Sequence, residues 1–258
     1  MDYDSIIYEL KDGIATLTLN RPEVMNALSS NLRRELLDAL RRSQAEARVM
    51  VLTGTGRAFC SGQDLQDAGK IGSFDLERIL NEEYVPMIKA ITESPIPTIA
   101  AVNGAAAGAG ANLALAADIV IAAESASFIQ AFTRIGLVPD AGGSYWLPRQ
   151  IGLARSMGAM LLGDKITARQ AADWGMIYET VADADFAAHI RARAAQLAAG
   201  PAVSYRGVKA MLRASFSNDL DAQLALEARL QGQCGQTMDF REGVAAFLEK
   251  RPAKFTGS

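Results

Sequence analysis

Short apolar runs alternate with turn-forming residues at the start of the chain. Two such runs lie within Ile6 to Pro22 and flank the dipeptide Asp12-Gly13, which favours a tight turn between antiparallel strands. Pro22 ends the second run, because a proline nitrogen cannot donate to a strand ladder. The pattern therefore predicts a β-hairpin over residues 6–22.

Helical and strand-like periods then alternate up to about residue 130. A helix is predicted to begin at a cap formed by Ser29 or Ser30. Its apolar face consists of Leu32, Leu36, Leu37 and Leu40. Buried strands are predicted at 48–53, 96–102, 118–122 and 126–129, and helices at 76–92 and 105–117. The segment 68–73 is expected to be mobile. This alternation indicates an α/β core with mostly parallel strands.

From Ala141 onward the apolar residues recur only at helical spacing. Helices are predicted within 147–177, interrupted at Gly163-Asp164, and at 185–199, 203–214, 219–231 and 239–248. The region from residue 198 to the end is therefore expected to be all-helical. It can pack either on its own core or on another subunit.

The composition excludes several functional classes. The 258 residues carry a formal net charge of −3, so the chain lacks the excess positive charge that is typical of nucleic-acid-binding proteins. No apolar run reaches the roughly 20 residues of a membrane span, and the first residues are acidic where a signal peptide is basic. Cys60 and Cys234 make no metal or redox spacing, and His189 is the only histidine. We therefore expect a cytoplasmic protein with reduced cysteines, no metal site and no histidine-based triad.

The stretch from Asn103 to Gly143 holds the strongest candidate chemistry. Its first part is crowded with glycine and alanine, which leave backbone N–H groups uncovered, and Asp140 follows near its end. N–H groups beside one carboxylate suit the stabilisation of an anion and the movement of a proton. The glycine-rich loop 54–65 contains neither a P-loop nor a dinucleotide fingerprint. The structural alternatives are tight packing for the first stretch and an ordinary turn for the loop.

Five motifs occur in the order and spacing of one known family. They are NRPEVMNAL, VLTGTGRAFCSGQDL, IAAVNGAAAGAGANLALAADIVIA, GLVPDAGGSYWLPR and ITARQAADWGMI. On these motifs the chain, from about Ile6 to Phe255, resembles the enoyl-CoA hydratase/isomerase (crotonase) superfamily. The resemblance implies an α/β fold with a crotonase-like core of repeated ββα units over residues 1–197. It also implies an all-helical trimerisation region over residues 198–258, in a homotrimer or a dimer of trimers.

The chemistry shared by that family is the stabilisation of a thioester enolate by two backbone N–H groups. The resemblance places these donors at Ser61 and Ala109. Ala109 lies in the first turn of a predicted helix, where the N–H has no helical partner and the helix dipole is positive. The two glutamates of the hydratase branch correspond to Asn112 and Phe132, and neither side chain can transfer a proton. A plain hydratase is therefore disfavoured.

Asp140 matches the carboxylate that the isomerase branch uses. One base can remove a proton beside a thioester and return it at another carbon, which moves a double bond without adding water. Desolvation against an apolar pocket would raise the pKa of this carboxyl group towards a useful range. The structural alternative is that Asp140 caps a helix beginning at Ala141. The surrounding residues resemble most closely the phenylacetate-pathway isomerases, which convert ring 1,2-epoxyphenylacetyl-CoA to oxepin-CoA.

The resemblance also implies two groups of binding residues. The acyl pocket is expected at Asn112, Phe132, Ile135, Leu137, Tyr145 and Trp146. Coenzyme A contacts are expected at Met25, Ala27, Ala58, Gln63, Asp64, Leu65, Lys250, Lys254 and Phe255. Ordinary core packing is the alternative for the apolar residues. The C-terminal lysines complete the nucleotide site of this or a neighbouring subunit, or else form a solvated helix end.

The leading hypothesis is an acyl-CoA isomerase that uses Asp140, with a CoA thioester as substrate and no permanently bound cofactor. Both double-bond shifts and epoxide-to-oxepin isomerisation fit this hypothesis. The alternatives are an enoyl-CoA hydratase of the β-oxidation type, a hydrolytic dehalogenase and a CoA-binding protein without activity. No nucleic-acid or membrane partner is expected.

Overall fold

The computed structural model describes residues 3–66 and 75–258. The predicted hairpin is confirmed, since β1 (Ile6–Lys11) and β2 (Ile14–Leu19) pair antiparallel. Asp12 and Gly13 both take positive φ at the turn between them, as a two-residue hairpin turn requires. The segment 68–73, which was expected to be mobile, lies outside the described residues.

The described strands form two sheets. The remaining strands of the larger sheet are β3 (Val49–Gly54), β5 (Thr98–Val102), β7 (Ile119–Ala123) and β10 (Glu179–Val181). The smaller sheet consists of β4 (Ala58–Cys60), β6 (Ala105–Ala107), β8 (Ser127–Ile129) and β9 (Lys165–Thr167). Their orders are β1-β2-β3-β5-β7-β10 and β4-β6-β8-β9. Pairing is parallel except between β1 and β2 and between β8 and β9.

Helices cover and connect these sheets. The α-helices are α1 (Ser30–Glu46), α2 (Leu76–Ile79), α3 (Val85–Thr92), α4 (Ala109–Leu115), α5 (Gly143–Leu162), α6 (Ala168–Asp173), α7 (Asp183–Ala198), α8 (Ala202–Ala214), α9 (Leu220–Gly235) and α10 (Met238–Leu248). A π-helical turn, Leu80–Tyr84, joins α2 to α3. Short 3-10 turns lie at Pro22–Val24 and Ala131–Ile135.

Three consecutive strand pairs divide between the two sheets in the same way. In β3–β4, β5–β6 and β7–β8, the first strand joins the larger sheet and the second joins the smaller one. Helical segments follow each pair along the chain. The expected core of repeated ββα units is therefore confirmed, and the carboxyl ends of successive strands lie along one edge of the smaller sheet.

Both faces of the larger sheet are buried. Met50 and Leu52 of β3 belong to the main core, which also contains the buried leucines of α1. Val49 and Val51 face the other way and pack against α7. Burial on both faces explains why β3 is a continuous apolar run rather than an alternating one.

Several predicted element boundaries are wrong. The helix predicted over 105–117 starts only at Ala109, because residues 105–107 form β6 and Gly108 takes φ of +52° between them. The glycine-rich loop contains β4, and the region predicted to be wholly helical after Ala141 contains β9 and β10. Strands of three residues are too short to show a period of two, and neighbouring strands determine them instead.

Beyond residue 198 the chain is all-helical, as expected. The boundary proposed at 197/198 falls in the last turn of α7. α8, α9 and α10 bury few residues, and α9 buries none. The exposed apolar residues of this region are Val208, Leu212, Phe216, Leu220, Leu224, Met238, Phe240, Val244, Phe247 and Leu248. Within 3–66 and 75–258, no helix has the length and apolar character needed to cross a membrane.

Candidate active site

Two chain segments meet closely at the carboxyl ends of β4 and β6. These strands pair in parallel, which brings Gly62 beside the segment from Ala107 to Ala109. A Cβ atom at Gly62 would lie 2.8 Å from the Ala107 carbonyl oxygen and 3.4 Å from the Ala109 nitrogen. Gly62 also has φ of +91°. Glycine is needed here because a side chain would be strained and would cover the Ala109 N–H.

The structure corrects one predicted oxyanion donor. The backbone N–H of Ser61 donates to the Met25 carbonyl at 3.0 Å and is therefore already used. The N–H of Gln63, two residues later, has no acceptor among the residues that the structure describes. Leu28 pairs with this loop in a parallel bridge that leaves the Gln63 N–H pointing away from it. The motif alone could not reveal which N–H is free, because the contact with Leu28 decides it.

The second predicted donor, Ala109, is the first residue of α4. N–H groups of a first helical turn have no partner within the helix, and the helix dipole adds positive potential there. Its neighbour Gly108 faces the ring of Phe132, which lies 3.6 Å from the position that a Gly108 Cβ would take. The Ala109 N–H thus lies between the Gly62 loop and an aromatic side chain.

A partly buried ion pair holds the loop that carries Gln63. Arg21 Nη1 donates to the Asp64 carboxylate at 2.8 Å and to the Ala27 carbonyl at 2.7 Å. Asn26 Nδ2 donates to the Ala58 carbonyl at 2.9 Å. The glycine-rich loop 54–65 and the segment before α1 are therefore joined by side-chain bonds as well as by the backbone bridge at Leu28.

The side chain of Gln63 is held from the opposite direction. Tyr84, in the π-helical turn, donates its hydroxyl to Gln63 Oε1, and Arg33 Nη1 donates to the same oxygen at 3.1 Å. Arg33 is paired with Glu83 at 2.7 Å. Burial raises the pKa of Tyr84, the charge of Arg33 lowers it, and the charge of Asp140 raises it. Tyr84 was not predicted as a site residue, because an aromatic residue in an apolar helix is typical of the hydrophobic core.

Asp140 lies in a tight turn immediately before α5. The hypothesis that it caps a helix starting at Ala141 is wrong, because α5 starts at Gly143 and its N-cap residue is Gly142. The carboxyl Oδ1 is buried and has no hydrogen-bond partner among the described residues. Burial alone raises the pKa of Asp140 from its ordinary 3.8 to about 6. Such a carboxyl group can exchange a proton near neutral pH.

The two positions that correspond to hydratase glutamates are both buried. Asn112 Nδ2 donates to the Asp140 carbonyl at 2.8 Å, and its Oδ1 accepts from Gln130 Nε2 at 2.8 Å. Phe132 is buried against the start of α4. The nearby acids Asp64 and Glu83 are each paired with an arginine. Asp140 is thus the acid of this region that has the properties of a proton carrier.

The predicted acyl-pocket residues do not all come together. Asn112 and Phe132 lie beside the Gly108 segment, whereas Ile135 and Leu137 are exposed. Tyr145 is covered by the Arg149 guanidinium at 3.6 Å and stacks edge-on against Trp146 at 4.6 Å.

The indole of Trp146 lies over Gly142, on the turn that follows Asp140. Its Nε1 is buried without a partner among the described atoms. The inner wall of the region is therefore apolar and aromatic, but it carries one unused donor.

The predicted coenzyme A residues fall into two separate groups. The first group lies in the two joined loops that follow β2 and β4, and it consists of Met25, Ala27, Gln63, Asp64 and Leu65, together with Ala58, the first residue of β4. Leu65 is exposed, whereas Ala27, Ala58 and Asp64 are buried and help to join the loops. Of this group, Met25 and Leu65 offer the most exposed side chains.

The second group lies in a C-terminal tail at the opposite end of β3, and it consists of Lys250, Lys254 and Phe255. Arg48, just before β3, donates to the Thr256 carbonyl at 2.8 Å and to the Gly200 carbonyl at 2.8 Å. Asp239 accepts from the Thr256 and Gly257 N–H groups. The tail is thus fixed at the amino end of β3, while the Gln63 loop follows its carboxyl end. The structure does not bring the tail to the site of its own chain.

A cleft of about 550 Å³ borders the same tail, and it is lined by Met238, Asp239, Glu242, Arg251, Lys254, Thr256 and Ser258. Its Arg251 is paired with Glu242 at 2.6 Å. The positive charge of Arg251 is therefore already compensated within this cleft.

Comparison with known proteins identifies the family. A family model described as enoyl-CoA hydratase/isomerase matches residues 9–258. A Rhodobacter capsulatus protein named "probable enoyl-CoA hydratase" is 62% identical over the whole of both chains. The Escherichia coli protein named 1,2-epoxyphenylacetyl-CoA isomerase is 43% identical over 98% of each chain. The crystal structure of an enoyl-CoA hydratase from Polaromonas sp. JS666 superposes with a TM-score of 0.91 at 33% identity, covering 97% of this chain and 99% of that one. The chain therefore belongs to the enoyl-CoA hydratase/isomerase family.

Proposed function

We propose that this protein is an acyl-CoA isomerase in which Asp140 moves a proton while the N–H groups of Gln63 and Ala109 hold the thioester oxygen. The observation that carries the proposal is the carboxyl group of Asp140, whose Oδ1 is buried without a hydrogen-bond partner among the described residues and whose pKa is raised by burial to about 6. Positions 112 and 132 hold no acid that could assist the addition of water.

The proposed reaction uses only this carboxyl group and the two donors. With a 3-enoyl thioester, Asp140 takes a proton from C2, and the electrons of that C–H bond form an enolate. The enolate oxygen accepts hydrogen bonds from Gln63 and Ala109, each worth roughly 3 kcal/mol in comparable sites. Asp140 then returns the proton to C4, and the double bond ends between C2 and C3. No water, redox partner or permanently bound cofactor is required.

The acyl group that the enzyme accepts is proposed to be apolar and to include ring-bearing substrates. Phe132 and Trp146 provide aromatic surface beside the donors and Asp140. The Escherichia coli relative is named for a ring-epoxide substrate. Both facts support phenylacetyl-CoA-derived substrates alongside ordinary 3-enoyl thioesters.

Hydration of 2-enoyl-CoA is the second candidate function. It is favoured by the names of the Rhodobacter capsulatus and Polaromonas relatives. It is opposed by Asn112 and Phe132, because addition of water needs both a base for the water and an acid for the carbon.

The test compares the parent protein with Asp140→Asn on 3-hexenoyl-CoA and on crotonyl-CoA. We expect the parent to isomerise the first substrate and to hydrate the second slowly. We expect the variant to lose at least about 100-fold in isomerisation, the lower part of the range for general acid–base catalysis. Unchanged isomerisation by the variant would remove the role of Asp140, and fast hydration by the parent would favour the second candidate.

A homotrimer or a dimer of trimers is proposed as the working assembly. The exposed apolar residues of α8 to α10 support association, since monomers rarely leave so many large apolar side chains uncovered. The tail that carries Lys254 lies far from its own Gln63 loop along β3, so it would reach a bound coenzyme A only in a neighbouring subunit.

A further inference from the structure

The Asn112 side chain lies in the site but performs no step of the proposed reaction. We infer that Asn112 is a positioning residue, which fixes the turn carrying Asp140 through a hydrogen bond to the Asp140 backbone carbonyl. The inference rests on the proposed function, because it assigns a purpose to the placement of Asp140. It goes beyond that function by giving the residue at a hydratase-glutamate position a different task.

The first supporting observation is the set of bonds around the Asp140 carbonyl. This oxygen accepts from Asn112 Nδ2 at 2.8 Å and from the Gly143 N–H at 2.9 Å. Asn112 and Gly143 are both buried. A Cβ atom at Gly143 would overlap the Asn112 amide, so the turn and the amide are in direct contact.

The second observation is that the turn needs such support. Ala141 has φ of +47° and Gly142 has φ of +84°. A left-handed conformation is unfavourable for alanine and persists only where surrounding contacts enforce it. The Asn112 amide supplies such a contact at the residue just before Ala141, and the direction of the Asp140 side chain depends on this turn.

The third observation concerns the partner behind Asn112. Gln130 is fully buried, and its Nε2 donates to Asn112 Oδ1 at 2.8 Å. This bond sets which end of the Asn112 amide faces Asp140, because the oxygen is used by Gln130 and the nitrogen remains for the carbonyl. Two buried amides therefore form a fixed chain from β8 to the turn.

α4 joins this chain of amides to the oxyanion donor. Ala109, which offers its N–H, and Asn112, which holds the turn, are three residues apart on the same short helix. One helical turn therefore sets the separation between the group that holds the enolate oxygen and the base that moves the proton. Small displacements of reacting groups can cost about 100-fold in rate, so a rigid link of this kind matters for catalysis.

The test uses Asn112→Ala and Gln130→Ala, with Thr98→Val as the matched control. Thr98 is buried in β5, and its hydroxyl makes two bonds with Asp118, well away from this turn. For each variant, kcat and KM for 3-hexenoyl-CoA are measured from pH 5 to 8, together with the melting temperature. Burial and the charge of Asp140 raise the pKa of Tyr84, so Tyr84 stays neutral throughout this range.

We expect Asn112→Ala to lower kcat by about 10- to 100-fold with KM changed less than threefold. We also expect the acid limb of its kcat profile to move to lower pH, because a displaced carboxyl group becomes hydrated. Gln130→Ala is expected to lower kcat by a smaller factor of about five. Thr98→Val should lower only the melting temperature.

The inference fails if Asn112→Ala and Gln130→Ala behave like Thr98→Val, with lower stability but unchanged kcat and acid limb. If Asn112→Ala does not fold, Gln130→Ala decides, and an unchanged kcat there is the contradicting result. Activity retained in Asp140→Asn would instead remove the proposed function. Loss of activity in Asp140→Asn with normal Asn112 variants would remove this inference alone.

Discussion

At the scale of single residues, the state of the Asp140 carboxyl group dominates the chemistry. It lies on the turn before α5, and burial alone raises its pKa to about 6. The nearby acids Asp64 and Glu83 are paired with arginines. Burial thus raises the pKa of Asp140, whereas Asp64 and Glu83 have cationic partners, and this difference suits Asp140 to the proposed proton transfer.

The pH dependence of isomerisation follows from the raised pKa of Asp140. A base must be ionised to take a proton, so kcat/KM for 3-hexenoyl-CoA should rise with pH and level off above a midpoint near 6. Rates measured from pH 4.5 to 8 in the parent protein test this. A midpoint near 4, the ordinary value for aspartate, would show that the carboxyl group is hydrated and would weaken its assignment as base.

Asp140 should also destabilise the folded protein above neutral pH. Its folded pKa of about 6 exceeds the ordinary 3.8, so the folded state binds the proton more tightly and loses stability as pH rises from about 4 to 6. A pKa difference of this size corresponds to about 3 kcal/mol at most. Partial exposure of the carboxyl group reduces the effect to ~1–2 kcal/mol.

The variant Asp140→Asn cannot ionise and should therefore be the more stable protein at pH 8. At pH 4 the two proteins should melt at nearly the same temperature, because Asp140 is protonated there in the folded state. Melting temperatures of both proteins at the two pH values provide the measurement. Equal melting temperatures at pH 8 would mean that ionised Asp140 is well solvated or paired.

At the scale of elements, the π-helical turn Leu80–Tyr84 connects a helix to the oxyanion loop. Tyr84 and Arg33 share Gln63 Oε1 as acceptor, so two different helical segments fix one loop side chain. π-helical turns are uncommon and often occur at functional sites. Here the turn places the Tyr84 hydroxyl on Gln63 Oε1.

Tyr84→Phe should therefore lower kcat, because the Gln63 loop loses one of the hydrogen bonds that fix it. Loss of one hydrogen bond of about 1 kcal/mol predicts a fall of about fivefold in kcat for 3-hexenoyl-CoA, with KM little changed. Tyr8→Phe is the matched control, because Tyr8 lies on the outer strand β1 and its hydroxyl donates to Glu46, at the end of α1, at 3.2 Å. Equal kcat values for the two variants would show that the Tyr84 hydroxyl does not support the loop.

At the scale of the whole molecule, the apolar surface of α8 to α10 and the distant C-terminal tail both favour assembly. Phe247 is 81% exposed in the single chain. Light scattering at micromolar concentration should give three or six times the chain mass of 27.5 kDa. A monomer under these conditions would contradict the proposed assembly and leave the tail without a role in coenzyme A binding.

The sequence was a good guide to the fold where local patterns are long. The Asp12-Gly13 hairpin and α1 with its leucine face were predictable from periodicity, and the core of repeated ββα units was predictable from the family resemblance. The three-residue strands β4, β6, β9 and β10 were not, since only tertiary pairing defines them. These short strands matter, because β4 and β6 bring Gly62 beside Ala109.

The site was predictable in its residue types but not in all of its contacts. Asp140 and Ala109 stood out from the motifs, and the absence of acids at 112 and 132 was visible directly. The use of the Ser61 N–H by Met25 depends on how two distant loops meet. The bond from Asn112 to the Asp140 carbonyl likewise spans 28 positions in the chain. Such long-range contacts leave no periodic trace in a sequence.

The most direct test of the central claim is the rate at which Asp140→Asn converts 3-hexenoyl-CoA to 2-hexenoyl-CoA, measured beside the parent at pH 8. The variant keeps the size and shape of the side chain and should be at least as stable, so any loss of rate reports on proton transfer. We expect a rate at least about 100-fold below that of the parent. A rate within twofold of the parent would contradict it.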